Sequence, residues 1–240
     1  MINLFLQGWT IYCVRSRVVL LLLLNIYTAQ AQSWKWAIGS NITQYQFNNS
    51  AGKAIDLFKR QSGLHLEIAH EQVLLDTASL ISRFSKSAIY FSQRPKLAKV
   101  LNLFQYDFGL NYNQFNAIGD VQQIAFSYET DYLGASAGFG PRIPLFKGWS
   151  VQLTGKVMGQ YLVAGQQLVG SRYFDLASEP QFNGVRMFRG LEIEVNKRVN
   201  AQVSAFVHVA SYQTVFSKVT PTGRLDMAPM TLAMGIKLHQ

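Results

Sequence analysis

The chain has 240 residues, 22 of them basic and 13 acidic, a formal net charge of +9 and a single cysteine. That cysteine, Cys13, lies near the N-terminus, so disulfides and thiolate metal sites are excluded from residues 14–240. No stretch reaches the roughly 20 apolar residues that a membrane-crossing helix requires.

Residues 15–32, RSRVVLLLLLNIYTAQAQ, have the layout of a secretory signal peptide. Arg15 and Arg17 precede an apolar run from Val18 to Leu24, and Ala29-Gln30-Ala31 forms a small-x-small cleavage site before Gln32. The expected units are a signal peptide over 1–31 and one mature domain over 32–240. Apolar residues precede the basic pair, which suits a true start near residue 14. Cys13 lies ahead of the apolar run, which rules out lipidation at the cleavage point. An exported basic chain is not expected to meet nucleic acid. Anionic lipid headgroups or lipopolysaccharide phosphates are the expected partners.

The mature chain is dominated by period-two alternation, which sends successive side chains to opposite faces of a strand. Trp34, Trp36 and Ile38 alternate with Lys35, Ala37 and Gly39. Residues 52–61, GKAIDLFKRQ, carry Ala54, Ile55, Leu57 and Phe58 at helical spacing and are read as a short helix in a first long loop. Leu64, Leu66 and Ile68 then alternate with His65, Glu67 and Ala69. Residues 79–92 alternate less regularly and are read as a further strand. Phe104, Tyr106, Phe108, Leu110 and Tyr112 share one face, opposite Gln105, Asp107, Gly109 and Asn111. Ile124, Phe126, Tyr128 and Tyr132 share a face opposite Ala125, Ser127, Glu129 and Asp131. Trp149, Val151, Leu153, Val157, Tyr161 and Val163 oppose Gln152, Thr154, Lys156 and Gln160. Leu191, Ile193 and Val195 oppose Glu192 and Glu194. Val203, Ala205, Val207 and Val209 oppose Gln202, Ser204 and His208. Leu232, Met234, Ile236 and Leu238 oppose Ala233, Gly235 and Lys237.

Transmembrane strands need about 9–11 residues, apolar toward lipid and polar inward, with aromatics at both interfaces. Trp34, Trp36, Trp149, Tyr161 and Tyr112 suit such girdles. Lipid leaves no strand edge unpaired, so the sheet must close. The expected fold is an all-β, closed antiparallel transmembrane β-barrel. Eight strands are expected if residues 99–128 form a long external hairpin, and ten if Glu129–Asp131 is a tight turn. The connections Pro144–Gly148 and Asn196–Asn200 are short, whereas 47–62, 165–183 and 217–226 are long and polar. By the usual rule short turns face the periplasm, so both termini are expected there.

The leader ending AQA-Q, the stretch YLGASAGFGPRIPLFKGWSVQL (132–153) and the hairpin LEIEVNKRVNAQVSAFV (191–207) resemble the small bacterial outer-membrane β-barrel proteins that include PorT-like members. The resemblance covers most of the mature chain and implies a Gram-negative outer-membrane location, porin-like architecture and insertion by the barrel-assembly machinery. PorT-like resemblance also implies an accessory role with a secretion machine. The last strand resembles the assembly signal of such barrels but ends His239-Gln240, without the terminal aromatic.

Little in the sequence suggests catalysis. The four histidines, His65, His70, His208 and His239, make no H-x-x-x-H pair, so neither a metal site nor a cofactor is expected. His208 and Ser211 invite comparison with outer-membrane lipid hydrolases, but three-residue spacing on a strand sends them to opposite faces. The polar parity collects Glu67, Glu129, Asp131, Lys156, Arg186, Glu192, Glu194 and Lys237 as a candidate lumen charge network. Arg189 has apolar parity and is expected beside the outer headgroups. Lys53, Lys59, Arg60, Arg94, Lys96, Lys99, Arg172, Lys218 and Arg224 are loop positives available to lipopolysaccharide or an external ligand.

The reading is a non-enzymatic outer-membrane barrel with a structural, adhesive or ligand-binding surface role. The alternative is a narrow pore or an accessory component of a secretion or transport machine. A lipid-modifying enzyme comes last.

Overall fold

Alternating side chains dictate strands, and strands in lipid must pair on both edges. The computed structural model describes residues 32–55, 58–74, 99–121, 124–179, 181–216, 219–221 and 223–239. It shows how the pairing is completed. The strands are β1 (Gln32–Asn49), β2 (Ala54–Ile55), β3 (Phe58–Val73), β4 (Phe104–Val121), β5 (Ile124–Pro144) and β6 (Trp149–Val169). They continue with β7 (Arg172–Asp175), β8 (Val185–Arg198), β9 (Val203–Phe216), β10 (Val219–Thr220) and β11 (Gly223–His239). Eight of them form a ring in the order β1-β3-β4-β5-β6-β8-β9-β11, every neighbour antiparallel. The ring closes where β1 meets β11, continuously from Ser33 opposite His239 to Asn49 opposite Gly223. The chain is a closed transmembrane β-barrel. The short β2, β7 and β10 pair with the ends of β1, β6 and β11.

The barrel is inside-out relative to a soluble protein. Trp36, Ile38, Leu66, Leu110, Val157, Leu191 and Met234 lie on its outer wall and are exposed. Lys35, Glu67, Asp107, Lys156, Glu192 and Lys237 lie inside and are buried. Only lipid makes that distribution favourable, because exposed apolar area costs roughly 25 cal/mol per Å² in water. Trp34, Trp36 and Trp149 sit at the rim where β1 begins and β11 ends, here the terminal rim, and Lys197 Nζ lies 5.1 Å over the Trp149 ring. Tyr112 and Tyr161 flank Leu133 of β5 farther along the wall. Ring strands run to 21 residues, well beyond the span of a bilayer. Past the apolar belt, toward the opposite, distal rim, the outer wall turns to Gln44, Gln46, Gln114 and Glu129.

Several expectations are corrected. The ring does have eight strands, but 104–121 and 124–144 are not an external hairpin. Both cross the belt, joined at their distal ends, with Val121 opposite Ile124. The expected strand at 79–92 lies outside the described residues, as do the leader and Ala31; the described chain starts at Gln32. β3 ends and β4 begins at the terminal rim, beside the short turns after Pro144 and Arg198. Lys99 therefore lies on the opposite rim from Lys53, Lys59, Arg60, Arg172 and Arg224, while Arg94, Lys96 and Lys218 fall outside the described residues. Of the short helix expected over 52–61, the described residues 54–55 and 58–61 are strand instead. Ile55 pairs with Phe47, and Phe58 begins β3 with its ring 5.7 Å from Tyr45 and 5.5 Å from Tyr128. Ladder bonds and aromatic burial outweigh a local helical spacing of this length.

The seam between β1 and β11 tolerates no side chain at Gly235. A Cβ there would overlap the Trp36 carbonyl oxygen and come within 2.7 Å of Phe206 Cζ. Gly235→Val is therefore expected to prevent closure. The wild-type barrel should migrate differently on a gel before and after boiling. The variant should lose most of the unboiled, folded band.

Candidate functional site: the lumen charge cluster

An eight-stranded ring has an interior only wide enough to be filled by side chains. Period-two alternation supplies those side chains from every second residue. On the terminal half of the lumen they are ionic. Lys35 of β1 places Nζ 2.7 Å from Glu192 Oε1, 2.9 Å from Glu194 Oε2 and 3.5 Å from Glu67 Oε2. Lys156 of β6 places Nζ 2.7 Å from Glu67 Oε1, 2.8 Å from Glu192 Oε2 and 3.8 Å from Asp107 Oδ1. Lys237 of β11 contacts both Glu71 oxygens at 2.7 and 2.8 Å and Glu194 Oε1 at 2.5 Å. Every one of these side chains is at most 3% exposed.

The cluster is tied to the wall by neutral partners. Glu71 accepts bonds from Ser33 Oγ, Gln105 Nε2 and Gln152 Nε2. The Phe206 ring lies 5.0 Å from Lys35 Nζ and 5.5 Å from Lys237 Nζ. β5 contributes smallness. A Cβ on Gly138 would collide with Asp107 Oδ2 and come within 2.7 Å of Thr154 Cγ2, so the glycine leaves room for the carboxylate.

Toward the distal rim the filling changes character. Tyr45, Phe115, Tyr132, Met158, Leu162 and Phe188 form an apolar core inside the ring. The segment between β7 and β8 adds Leu176 and Phe182, each 1% exposed. Tyr45 donates through its hydroxyl to the Phe115 carbonyl at 3.0 Å. Arg186 is buried here, donating to the Tyr132 hydroxyl at 3.2 Å and to the Leu225 and Gln181 carbonyls. The lumen is thus filled in two layers, ionic below and aromatic above.

Of the sequence-predicted charges, Glu67, Lys156, Glu192, Glu194 and Lys237 meet in one network. Arg186 is inside the barrel but in the aromatic layer, apart from it. Glu129 and Asp131 are corrected: they point away from the lumen. β5 keeps one parity throughout, and at its distal end Phe126, Tyr128, Thr130 and Tyr132 are the inward side chains. Aromatics face inward there because the wall has left the apolar belt and the lumen offers the only dry environment. Arg189 is on the outer wall, between Val157 of β6 and Gln213 of β9, bordering a groove with Ser211.

Lys35, Glu71, Asp107, His65 and His208 also belong to the cluster, beyond the residues picked out from sequence. Their polar parity was readable; Glu71 simply continues the face of His65, Glu67 and Ala69. His208 is 1% exposed and faces the lumen, whereas Ser211 is on the outer wall. They cannot form a nucleophile–base pair, which demands hydrogen-bond contact.

No protein-family model and no curated protein matches the chain. Solved structures do resemble it in outline. The attachment invasion locus protein Ail of Yersinia pestis, in complex with the heparin analogue sucrose octasulfate, is 9% identical over 86% of this chain and 99% of that one, with a TM-score of 0.39. Neisserial surface protein A is 10% identical over 85% and 97%, with a TM-score of 0.41. The outer-membrane protease OmpT of Escherichia coli is 6% identical over 88% and 97%, with a TM-score of 0.43. The barrel assignment itself rests on the strand register.

Removing one partner from a buried ionic network leaves a charge without compensation, which costs about 3–5 kcal/mol. Lys35→Met is expected to lower barrel stability by that amount. Arg224→Ala removes a pair with Asp226 whose arginine side chain is 41% exposed. It should cost no more than about 1 kcal/mol. Urea unfolding of the lipid-reconstituted barrel, followed by tryptophan fluorescence, measures both.

Proposed function

We propose that this protein is a closed, non-conducting outer-membrane barrel that acts as a non-enzymatic surface scaffold. The observation that carries this reading is the filled lumen. An ion crossing it would have to break contacts linking Lys35, Lys156 and Lys237 to carboxylates on β3, β4 and β8. It would then have to displace the aromatic layer of Tyr45, Phe115, Tyr132 and Phe188. Such a lumen closes the barrel and leaves the rims and outer wall for interaction.

In this reading the terminal rim, which carries the short turns after Pro144 and Arg198 together with the connection from Val73 to Phe104, is periplasmic. The distal rim projects from the cell with structural, adhesive or ligand-binding duties. It carries exposed aromatics, Tyr173, Phe174 and Phe216, and the positives Lys53, Lys59 and Arg172. Aromatics provide contact area at low entropic cost, and the positives suit lipopolysaccharide phosphates or an anionic ligand. Insertion would depend on the barrel-assembly machinery. The separation of His208 from Ser211 supports the non-enzymatic part.

Planar-bilayer recording tests the proposal. The refolded chain, inserted at a density confirmed by its heat-modifiable band, should give no discrete conductance steps. Reproducible unitary steps would show an open path and transfer the reading to the narrow pore.

A further inference from the structure

The ionic layer holds more negative than positive charge. Among the described residues it contains five carboxylates, Glu67, Glu71, Asp107, Glu192 and Glu194, against three ammonium groups, Lys35, Lys156 and Lys237. With neutral histidines the salt-bridged network carries two more negative than positive charges. Buried charge of this kind demands a counterion or protonation.

Two histidines stand at the same place. His65 of β3 and His208 of β9 have ring centroids 5.9 Å apart, although 143 positions of sequence separate them. His65 Nδ1 lies 2.6 Å from Asn113 Oδ1. The amide orientation is fixed from its other end, where Asn113 Nδ2 donates to Asn111 Oδ1. The Asn113 oxygen must therefore accept, and Nδ1 must carry the proton. That leaves the lone pair of His65 Nε2 pointing inward, buried and without a partner. Neither ring nitrogen of His208 makes a hydrogen bond, although the residue is 1% exposed, and its Nδ1 lies 3.5 Å from Glu192 Oε1. Glu67 completes the set, its Oε2 without a hydrogen bond. One donor atom from each of His65, Glu67 and His208 lies within 4.8 Å of the others.

We propose that His65, Glu67 and His208 bind a divalent transition-metal ion, zinc being the best match, inside the barrel lumen. Two imidazoles and one carboxylate form a three-ligand set that zinc accepts, with a fourth position for water or a shift of Glu192. The nitrogen pair disfavours magnesium and calcium, which require oxygen cages. The Asn113–His65 bond is the outer-shell contact that orients a metal-binding imidazole. The charge supplied, +2, equals the deficit of the layer. The ion would bridge β3 and β9, which share no ladder in the ring.

The test uses the full mature barrel, refolded with Zn²⁺ present and desalted, with metal content then measured. About one ion should be retained per chain, since an ion loaded during folding is enclosed by the fold. His65→Asn and His208→Gln should each lower retention at least about tenfold, while Ser211→Ala on the outer wall should not. Co²⁺ loading should give visible ligand-field absorption that the same two variants lose. Heat-modifiable mobility confirms that each variant is folded. Should a variant not fold, Cu²⁺ in the wild-type chain reports the ligands by pulsed electron paramagnetic resonance. Imidazole nitrogen couplings support the site, and their absence overturns it. Substoichiometric zinc in the wild-type barrel would overturn the site, and full retention in both folded histidine variants would overturn it by placing the ion on other ligands. None of these outcomes depends on whether the barrel conducts.

Discussion

The constraint on which the rest depends is the width of an eight-stranded ring. Its interior admits side chains but not a column of bulk water. Whatever polar residues alternation sends inward must satisfy one another. Lys35 shows the solution: one ammonium shared among Glu67, Glu192 and Glu194, drawn from β3 and β8. Each lysine serves at least two carboxylates, and Glu192 and Glu194 each serve two lysines. Such sharing makes the layer a network rather than a set of pairs. Its members are costly to remove singly, even though the whole gives little net stabilisation over an apolar filling. What it does provide is register. A slip of one residue in β8 would move Glu192 and Glu194 into lipid and Ile193 into the lumen.

The two layers of filling follow from what surrounds the wall. Within the apolar belt the outer face takes the hydrophobic side chains, so the inward face is left with polar ones. Beyond the belt the outer face meets water, and the strands can turn their aromatics inward. β5 makes the change without altering its parity: Gly138 and Ser136 line the ionic layer, and Tyr132, Tyr128 and Phe126 line the aromatic one. The distal part of the barrel is thus built like a small soluble barrel set upon a membrane one. Arg186 is the one charge it buries there among the described residues, satisfied by Tyr132 and by the carbonyls of Leu225 and Gln181.

This change of environment explains what the sequence made legible. The outward faces of β1, β3, β6, β8, β9 and β11 follow from alternation alone, because within the belt apolar means outward. The same rule misplaces Glu129 and Asp131, because it assumes lipid where there is water. The helical spacing at 52–61 misleads for a related reason, since Phe58 is recruited by Tyr45 and Tyr128 across the lumen. Five of the eight candidate charges share a network because parity predicts facing, and in a narrow lumen facing is nearly contact. Depth was not readable. Arg186 has the right parity but lies in the other layer, since depth depends on register and on how far each strand extends past the belt.

The histidines mark the limit of linear reading most clearly. Metal signatures are recognised by close spacing, as in pairs four apart on a helix, because there the backbone itself sets the distance. A closed ring sets distances differently. β3 and β9 are separated by β1 and β11, yet their inward side chains converge on the axis, so ligands can come from any two strands. His65 and His70, neighbours in sequence, are held apart: His65 faces the lumen, and His70 lies against Trp34 on the outer wall with ring centroids 5.3 Å apart. His65 and His208, remote in sequence, converge. In a narrow barrel, therefore, spacing along the chain neither supports nor excludes a ligand set. The relevant quantity is the inventory of inward residues at one depth, together with the charge they leave unbalanced.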